Sequence, residues 1–254
     1  MPSSIFYEQP LNERIRLLMR LEYVFHYLGN PEPAPIAVRQ HLALNSLLDL
    51  IDLIHRGDTC TEVIKELERI SANLIELRHL PGVDADRLNN ILDNLTSLIA
   101  RLNGQNSRHF QTATDAELLS ALRRRHNVTC GNTEFDQPLL QHWLLKPEPV
   151  REELLQTWAK PFETLKLAVK LALQLIRESA GATPCVAESG FYQHTLDTDQ
   201  PAQIIRVCPD DPDCYPVISA GRHRFTIRFM RQQNLDPALQ VEDSVNFKLI
   251  CCSI

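Results

Sequence analysis

The chain has 254 residues, 44% of them hydrophobic and 23% charged, with a formal net charge of -6. That balance is ordinary for a globular protein, and the length suffices for one large core or two moderate ones. The acidic sign argues against a general nucleic-acid binder, which carries basic excess across a domain, while leaving room for a local basic patch. No apolar run approaches the roughly 20 residues that span a bilayer. Met1 to Pro10 has neither a basic start nor an apolar stretch of the secretory type. A cytoplasmic chain that makes no membrane contact is therefore expected.

The seven cysteines, Cys60, Cys130, Cys185, Cys208, Cys214, Cys251 and Cys252, are scattered, odd in number and free of any C-x-x-C pair. A disulfide framework needs an oxidising compartment and usually a small domain, and neither applies. Adjacent Cys251 and Cys252 read as one buried and one exposed strand residue.

In chain order, Ser4 to Glu8 is strand-like and Leu11 to Tyr27 is helical, dense in Leu, Ile and Phe with arginines between them. His41 to His55 repeats leucine at helical spacing. Thr59 or Thr61 can cap the next helix, which carries Val63, Ile64, Leu67, Ile70, Leu74 and Leu77 and stops at Pro81-Gly82. Asp84 or Asp86 starts another, ending near Gly104. Connections this short favour antiparallel neighbours in a bundle. The longest helix is expected over Arg151 to Ala180. Its stripe of Trp158, Phe162, Leu165, Val169, Leu173 and Ile176 reads as the spine of the core or, in part, as a dimer interface.

After Gly181 the pattern turns to short alternating runs. Four strands are predicted: Cys185 to Thr195, Gln203 to Cys208, Val217 to Arg231 with a turn near Ala220-Gly221, and Ser244 to Ser253. The whole reads as an α+β fold, an N-terminal α-helical bundle followed by a small antiparallel β domain. The division is residues 1–182, mainly helical, and 183–254, with residues 3–8 available to add a strand to the C-terminal sheet.

Two segments place arginines where fold alone does not ask for them. Arg16 and Arg20 are four apart on the first helix, so they share a face, at a small repulsive cost that Glu13 and Glu22 can relieve. A solvated charged face explains them equally well. In Arg222-His223-Arg224-Phe225-Thr226-Ile227-Arg228-Phe229-Met230, strand alternation puts Phe225, Ile227 and Phe229 on the core side and Arg222, Arg224, Thr226 and Arg228 on the other. Such a stack is tolerated if neighbouring strands supply acids, or if the face receives a carboxylate-bearing partner, which the planar guanidinium suits. Arg123-Arg124-Arg125 reads as a solvated helix end.

Nine histidines show no H-E-x-x-H and no spacing suited to zinc. G-x-S-x-G, P-loop and G-x-G-x-x-G motifs are all absent from the sequence, so no catalytic residue, metal or cofactor is expected. Two rivals use the same arginines: an enzyme binding an anionic small substrate, and an RNA-binding sheet. The RNA reading conflicts with Phe225 and Phe229 lying on the opposite, core face.

The opening Phe6-Tyr7-Glu8-Gln9-Pro10-Leu11-Asn12-Glu13-Arg14-Ile15-Arg16 and Arg20-Leu21-Glu22 resembles that of the ZapD family, division-ring-associated proteins of Gram-negative bacteria. Further matches follow in order: Arg56-Gly57, Pro81-Gly82-Val83-Asp84, Phe135-Asp136, Trp143-Leu144, Thr157-Trp158, Gly190-Phe191-Tyr192-Gln193, Tyr215-Pro216-Val217-Ile218-Ser219, Arg224 to Met230, and Cys251-Cys252. The resemblance implies a symmetric homodimer that binds the C-terminal tail of the tubulin-like protein FtsZ and crosslinks its filaments at the midcell ring. It carries a tail-binding role onto Arg16, Arg20, Arg56, Arg224 and Arg228, with Arg222 and His142 as further members. Glu117 and Gln141 depart from the family pattern, which has arginine and histidine there.

Overall fold

Asn12 opens the first helix, its Oδ1 accepting the N–H of Ile15 at 2.9 Å and so supplying one partner for the free amides of a helix start. The computed structural model describes residues 5–29, 35–79, 82–105, 107–126, 128, 133, 135–197, 201–221, 223–233 and 236–254, with the side chains of residues 37, 56, 79, 107 and 108 outside that description. The helices that follow are α1 (Glu13–Leu28), α2 (Ile36–Arg56), α3 (Thr59–Glu76), α4 (Ala85–Asn103), α5 (Gln111–Thr114), α6 (Glu117–Arg123), α7 (Pro138–Leu144), α8 (Glu148–Ala159) and α9 (Glu163–Glu178). The strands are β1 (Tyr7–Pro10), β2 (Thr183–Ala187), β3 (Phe191–Thr195), β4 (Ile204–Pro209), β5 (Cys214–Ala220), β6 (Arg224–Arg231), β7 (Leu239–Gln240) and β8 (Val245–Cys252). This is the α+β order that the periodicity predicts.

The chain divides into two compact units, one holding Leu17–Leu171, the other the chain up to Arg16 and from Ala172 onward. In the helical unit the predicted stripes are the core. Leu44, Leu47, Leu48 and Ile51 of α2 are buried, as are Val63, Leu67, Ile70 and Leu74 of α3 and Leu88, Leu92, Leu95, Leu98 and Leu102 of α4. Asp84 caps α4 by accepting from the amides of Asp86 and Arg87 at 3.1 and 3.0 Å. α3 packs on α4, and α2 on α8.

The long helix expected over 151–180 is two helices. Pro161 lacks an N–H and crowds the preceding turn, so Lys160–Phe162 tightens into a single 3-10 turn between α8 and α9. The stripe survives the break: Phe162, Leu165, Val169, Leu173 and Ile176 are at most 1% exposed within one chain. They belong to its interior, not to an interface with a second copy.

The β unit holds two sheets, not the single sheet expected. The run Cys185 to Thr195 turns at Ser189 and Gly190, whose φ angles of 50° and 65° make a tight hairpin turn closed by the Phe191 amide on Glu188 O at 3.0 Å. A Cβ on Gly190 would lie 2.2 Å from the carbonyl oxygen of Val241, so no larger residue fits unless that backbone moves. The turn sends β2 into one antiparallel sheet, ordered β1-β4-β8-β2, and β3 into another, ordered β3-β6-β5 with β7 on the end of β6. Ile205, Val207, Phe247 and Leu249 of the first share one core with Phe225, Ile227 and Phe229 of the second. Cys252 is fully buried and Cys251 half-buried, so neither is the exposed member of the pair that alternation suggests.

The N-terminal strand does join the first sheet, shifted to Tyr7–Pro10, with Tyr7 opposite Val207. Ser3 and Ser4 lie outside the described residues. A charge cluster anchors β1: the Glu8 carboxylate accepts from Arg177 Nε at 2.9 Å and from Arg206 Nε at 2.8 Å. The Arg206 guanidinium also lies over the Phe6 ring, 4.5 Å from its centroid.

Candidate functional site

β6 sets the geometry. Its residues alternate: Phe225, Ile227 and Phe229 are fully buried, while Arg224 and Arg228 are exposed with Thr226 between them. Register then names their neighbours. On the outer face Arg224 stands opposite Thr195 of β3; Thr226 opposite Gln193 of β3 and Ser219 of β5; Arg228 opposite Phe191 of β3 and Val217 of β5. Cross-strand neighbours on one face have Cβ atoms about 5 Å apart, so these side chains decide what each arginine meets.

None is an acid. Among the described residues the guanidiniums of Arg224 and Arg228 make no ion pair or hydrogen bond, which removes the first of the two explanations for the stack. The two guanidiniums do not repel strongly either, since four strand residues separate their Cα atoms by about 13 Å, beyond the screening length of about 8 Å at physiological salt. Arg222 lies outside the described residues.

The other arginines of this unit behave differently. Arg177 and Arg206 converge on Glu8, and Arg231 pairs with Asp211 across the acidic loop. The carboxyl of Asp211 is held below its usual range, first by the Asp213 amide and then by Arg231. Phe191 and Val217, each 43% exposed, flank Arg228 and add an apolar element that the sequence analysis missed. Alternation marks which β6 residues share a face, but only the pairing of β3 and β5 reveals what stands beside them.

That row of neighbours holds three hydroxyls but no group to activate them as nucleophiles. Thr195, Gln193, Phe191, Thr226, Ser219 and Val217 include no carboxylate, imidazole or thiol. Elsewhere in the unit, burial keeps the acidic hydrogens on: Tyr192 is pushed up to about 12, chiefly by desolvation with help from Cys185, and Cys252 to about 11 by desolvation.

The remaining site candidates fall on helices. Arg16 is half-buried, its Nε 3.2 Å from Glu13 Oε1, while Arg20, one turn on along α1, is exposed. Arg20 meets no partner among the described residues. Arg56 closes α2, its side chain outside the described part. His142 is exposed on α7 beside exposed Gln141, and Glu117 is exposed at the start of α6. So β6 brings Arg224 and Arg228 together and α1 brings Arg16 and Arg20 together. Arg20, Arg56 and His142 belong to the helical unit, and Arg224 and Arg228 to the β unit.

The segment Arg123 to Arg125 is not a merely solvated end. Arg123 Nε donates to Asp52 at 2.7 Å and Arg125 pairs with Asp136 at 3.2 Å. The adjoining His126 meets Asp49 at 2.9 Å. Arg123 and His126 tie the end of α6 to α2, Arg125 ties it to the turn before α7, and Arg124 is left to solvent.

Compared with known proteins, residues 19–228 match the model of the ZapD family, described as cell division protein. The chain belongs to the ZapD family of cell division proteins. A ZapD of Coxiella burnetii (strain RSA 493 / Nine Mile phase I) is 36% identical over 257 residues, covering 99% of both chains. The ZapD of Bordetella petrii is 37% identical over 250 residues, covering 98% of this chain and 99% of its own. That of Cupriavidus taiwanensis is 33% identical over 255 residues. Each of these relatives is named as a cell division protein, and division is the role that ZapD membership gives this chain. Among the described residues no helix is long and apolar enough to cross a membrane.

Proposed function

We propose that the chain binds the C-terminal tail of FtsZ through an arginine-lined surface and, as a homodimer, crosslinks and bundles FtsZ filaments in the cytoplasm at the midcell ring. The observation that carries this reading is the contrast within the β unit. Arg177, Arg206 and Arg231 are each matched to an acid of the same unit, whereas Arg224 and Arg228 stand exposed with no acid among their cross-strand partners in β3 and β5. Folding gains little from two uncompensated guanidiniums, while a carboxylate-bearing segment gains charge-assisted, bidentate contacts from them. Arg16, Arg20 and Arg56, with Arg222 and His142 as further members, complete the proposed tail-binding set.

The mechanism is bivalency. A two-fold dimer carries two equivalent sites, and a filament offers many tails at high local concentration. Weak single contacts then sum to firm lateral attachment, by factors on the order of 10² to 10⁴ where the geometry allows both to engage.

Co-sedimentation with FtsZ polymers tests the proposal. Full-length polymers should carry the protein into the pellet as bundles, and polymers lacking the tail should leave it in the supernatant. Equal pelleting with both would overturn the tail as the target. Arg224→Ala and Arg228→Ala should each weaken tail binding by about 1.5 to 3 kcal/mol, roughly 10- to 150-fold. A monomer by light scattering that still bundles filaments would sink the bivalent mechanism.

A further inference from the structure

Two neighbouring residues of α2 carry polar atoms that are shielded from solvent and have no partner, Arg39 Nε and Gln40 Oε1. Gln40 is 2% exposed, and among the described residues its amide makes one bond, from Nε2 to the Glu148 carbonyl oxygen of α8 at 3.4 Å. That bond is long beside the usual distance of about 2.9 Å for an N–H donor. Burying a polar atom without a partner is unfavourable, and native chains leave few of them. Two in succession mark a place where the chain does not satisfy its own groups.

Both side chains line a cavity of about 50 Å³ between α2 and α8, all of it within the helical unit. Leu28 of α1 and Leu155 of α8 give it apolar wall, and α8 adds Glu152 and Gln156. Arg39 and Glu152 bring opposite charges to this one small space. Neither makes an ion pair among the described residues, and Glu152 Oε1 accepts only from the neutral amide of Gln156, at 3.2 Å. The cavity therefore has a cationic donor and an anionic acceptor that do not meet each other.

Size and charge together select the occupant. One water takes about 10 to 15 Å³ of such space, so the cavity has room for roughly three to five non-hydrogen atoms. A simple anion would pair with Arg39 and be repelled by Glu152, and a simple cation would meet the reverse. A neutral molecule would leave both charges without a counter-charge. A small molecule bearing both an ammonium and a carboxylate suits both, through charge-assisted hydrogen bonds. At this size that molecule is an α-amino acid with almost no side chain.

We propose that this cavity binds the smallest α-amino acids, the ligand carboxylate on the Arg39 guanidinium and its ammonium on Glu152 and the Gln40 carbonyl. None of the residues assigned to tail binding lines the cavity, so this reading and the proposed function stand or fall separately. The ligand would bridge α2 and α8, which pack on each other, and its occupancy would add to the stability of the helical unit. So few atoms give only weak binding, with a Kd on the order of 1 mM. Such a site responds to a plentiful solute and does not hold a trace one.

Titration of the full chain with glycine, acetate and methylammonium, read by NMR of isotope-labelled alanine methyl groups, tests the proposal, because Ala43 and Ala159 also line the cavity. Glycine should move both methyl signals along a saturating curve. Acetate and methylammonium should each bind at least about tenfold more weakly, and glycine should lose at least about tenfold in Arg39→Gln and in Glu152→Gln. If glycine gives no saturating shift, the proposal is wrong. Acetate or methylammonium binding as tightly as glycine would make the cavity a simple ion site and overturn it. Glycine binding unchanged in both variants would place the ligand elsewhere and overturn it too. Should a variant not fold, the three probes on the unaltered chain decide: saturation by glycine alone supports the site, and any other pattern refutes it.

Discussion

In the helical unit charge serves the fold, whereas on the outer face of β6 it does not. Asp52 receives Arg123, Asp49 receives His126, Asp136 receives Arg125, and the 1%-exposed Glu66 is held by Arg69 at 2.6 Å. Each pair ties two elements or two turns together. The β unit repeats that economy around Glu8 and Asp211, then abandons it at Arg224 and Arg228. An ion pair that bridges elements has a structural reason to exist. An exposed arginine that pairs with no acid among the described residues has none, and that difference separates a candidate binding residue from a brace.

Adjacent residues of β6 give the sharpest way to break this comparison. Phe229 is fully buried against Phe247, their ring centroids 5.0 Å apart, so Phe229→Ala should cost about 4 kcal/mol in urea unfolding and abolish binding only by unfolding the β unit. Arg228→Ala, one residue away, should change stability by no more than about 0.5 kcal/mol while weakening tail binding at least tenfold. If Arg228→Ala proves as destabilising as Phe229→Ala, the arginine is structural and the contrast collapses.

A second test moves to a paired charge. The side chain of Glu8 is 15% exposed and shared by two arginines. Glu8→Ala leaves both guanidiniums without their counter-charge and should cost about 3 kcal/mol, measured by chemical denaturation. A loss below 1 kcal/mol would mean that the anchor of β1 is mainly its backbone ladder.

The smallest effect is a pH dependence. Because Asp211 is held below its usual range in the folded chain, its contribution is complete above about pH 4 and fades as the pH falls further. Asp211→Asn should therefore lower stability slightly at pH 7, by an amount that shrinks as the pH falls below about 4. The site is exposed, so solvent screening keeps the effect small. An Asp211→Asn variant whose deficit does not shrink as the pH is lowered below about 4 would show that the carboxylate charge is not the cause.

What proved legible in the sequence was local. Asp84 caps α4, the leucine stripes of α2, α3 and α4 are the core, and alternation along β6 separates its arginines from its phenylalanines, all within a few residues of chain. What escaped was either a single residue outvoted by its neighbours or a long-range pairing. Pro161 sits inside an unbroken apolar stripe, so periodicity carries a helix straight through it. Ser189 and Gly190 split one apparent strand between two sheets, and nothing nearby announces the second sheet. The acids that take up Arg123 and Arg125 lie on α2 and near α7, and the residues flanking Arg228 come from two other strands.

The pairing of β1 with β4 also bears on the order in which the chain acquires structure as it is made. Glu8 and Arg206, joined through a 2.8 Å hydrogen bond, are 198 residues apart in the chain. β4 in turn lies between β1 and β8, so the first sheet cannot close until residues near 252 have left the ribosome. The helical unit is built from contiguous sequence and is complete well before that. The first strand therefore emerges earliest and docks among the latest, after the helical unit has folded. Contacts spanning so much chain form slowly, which makes closure of this sheet the expected slow step of folding.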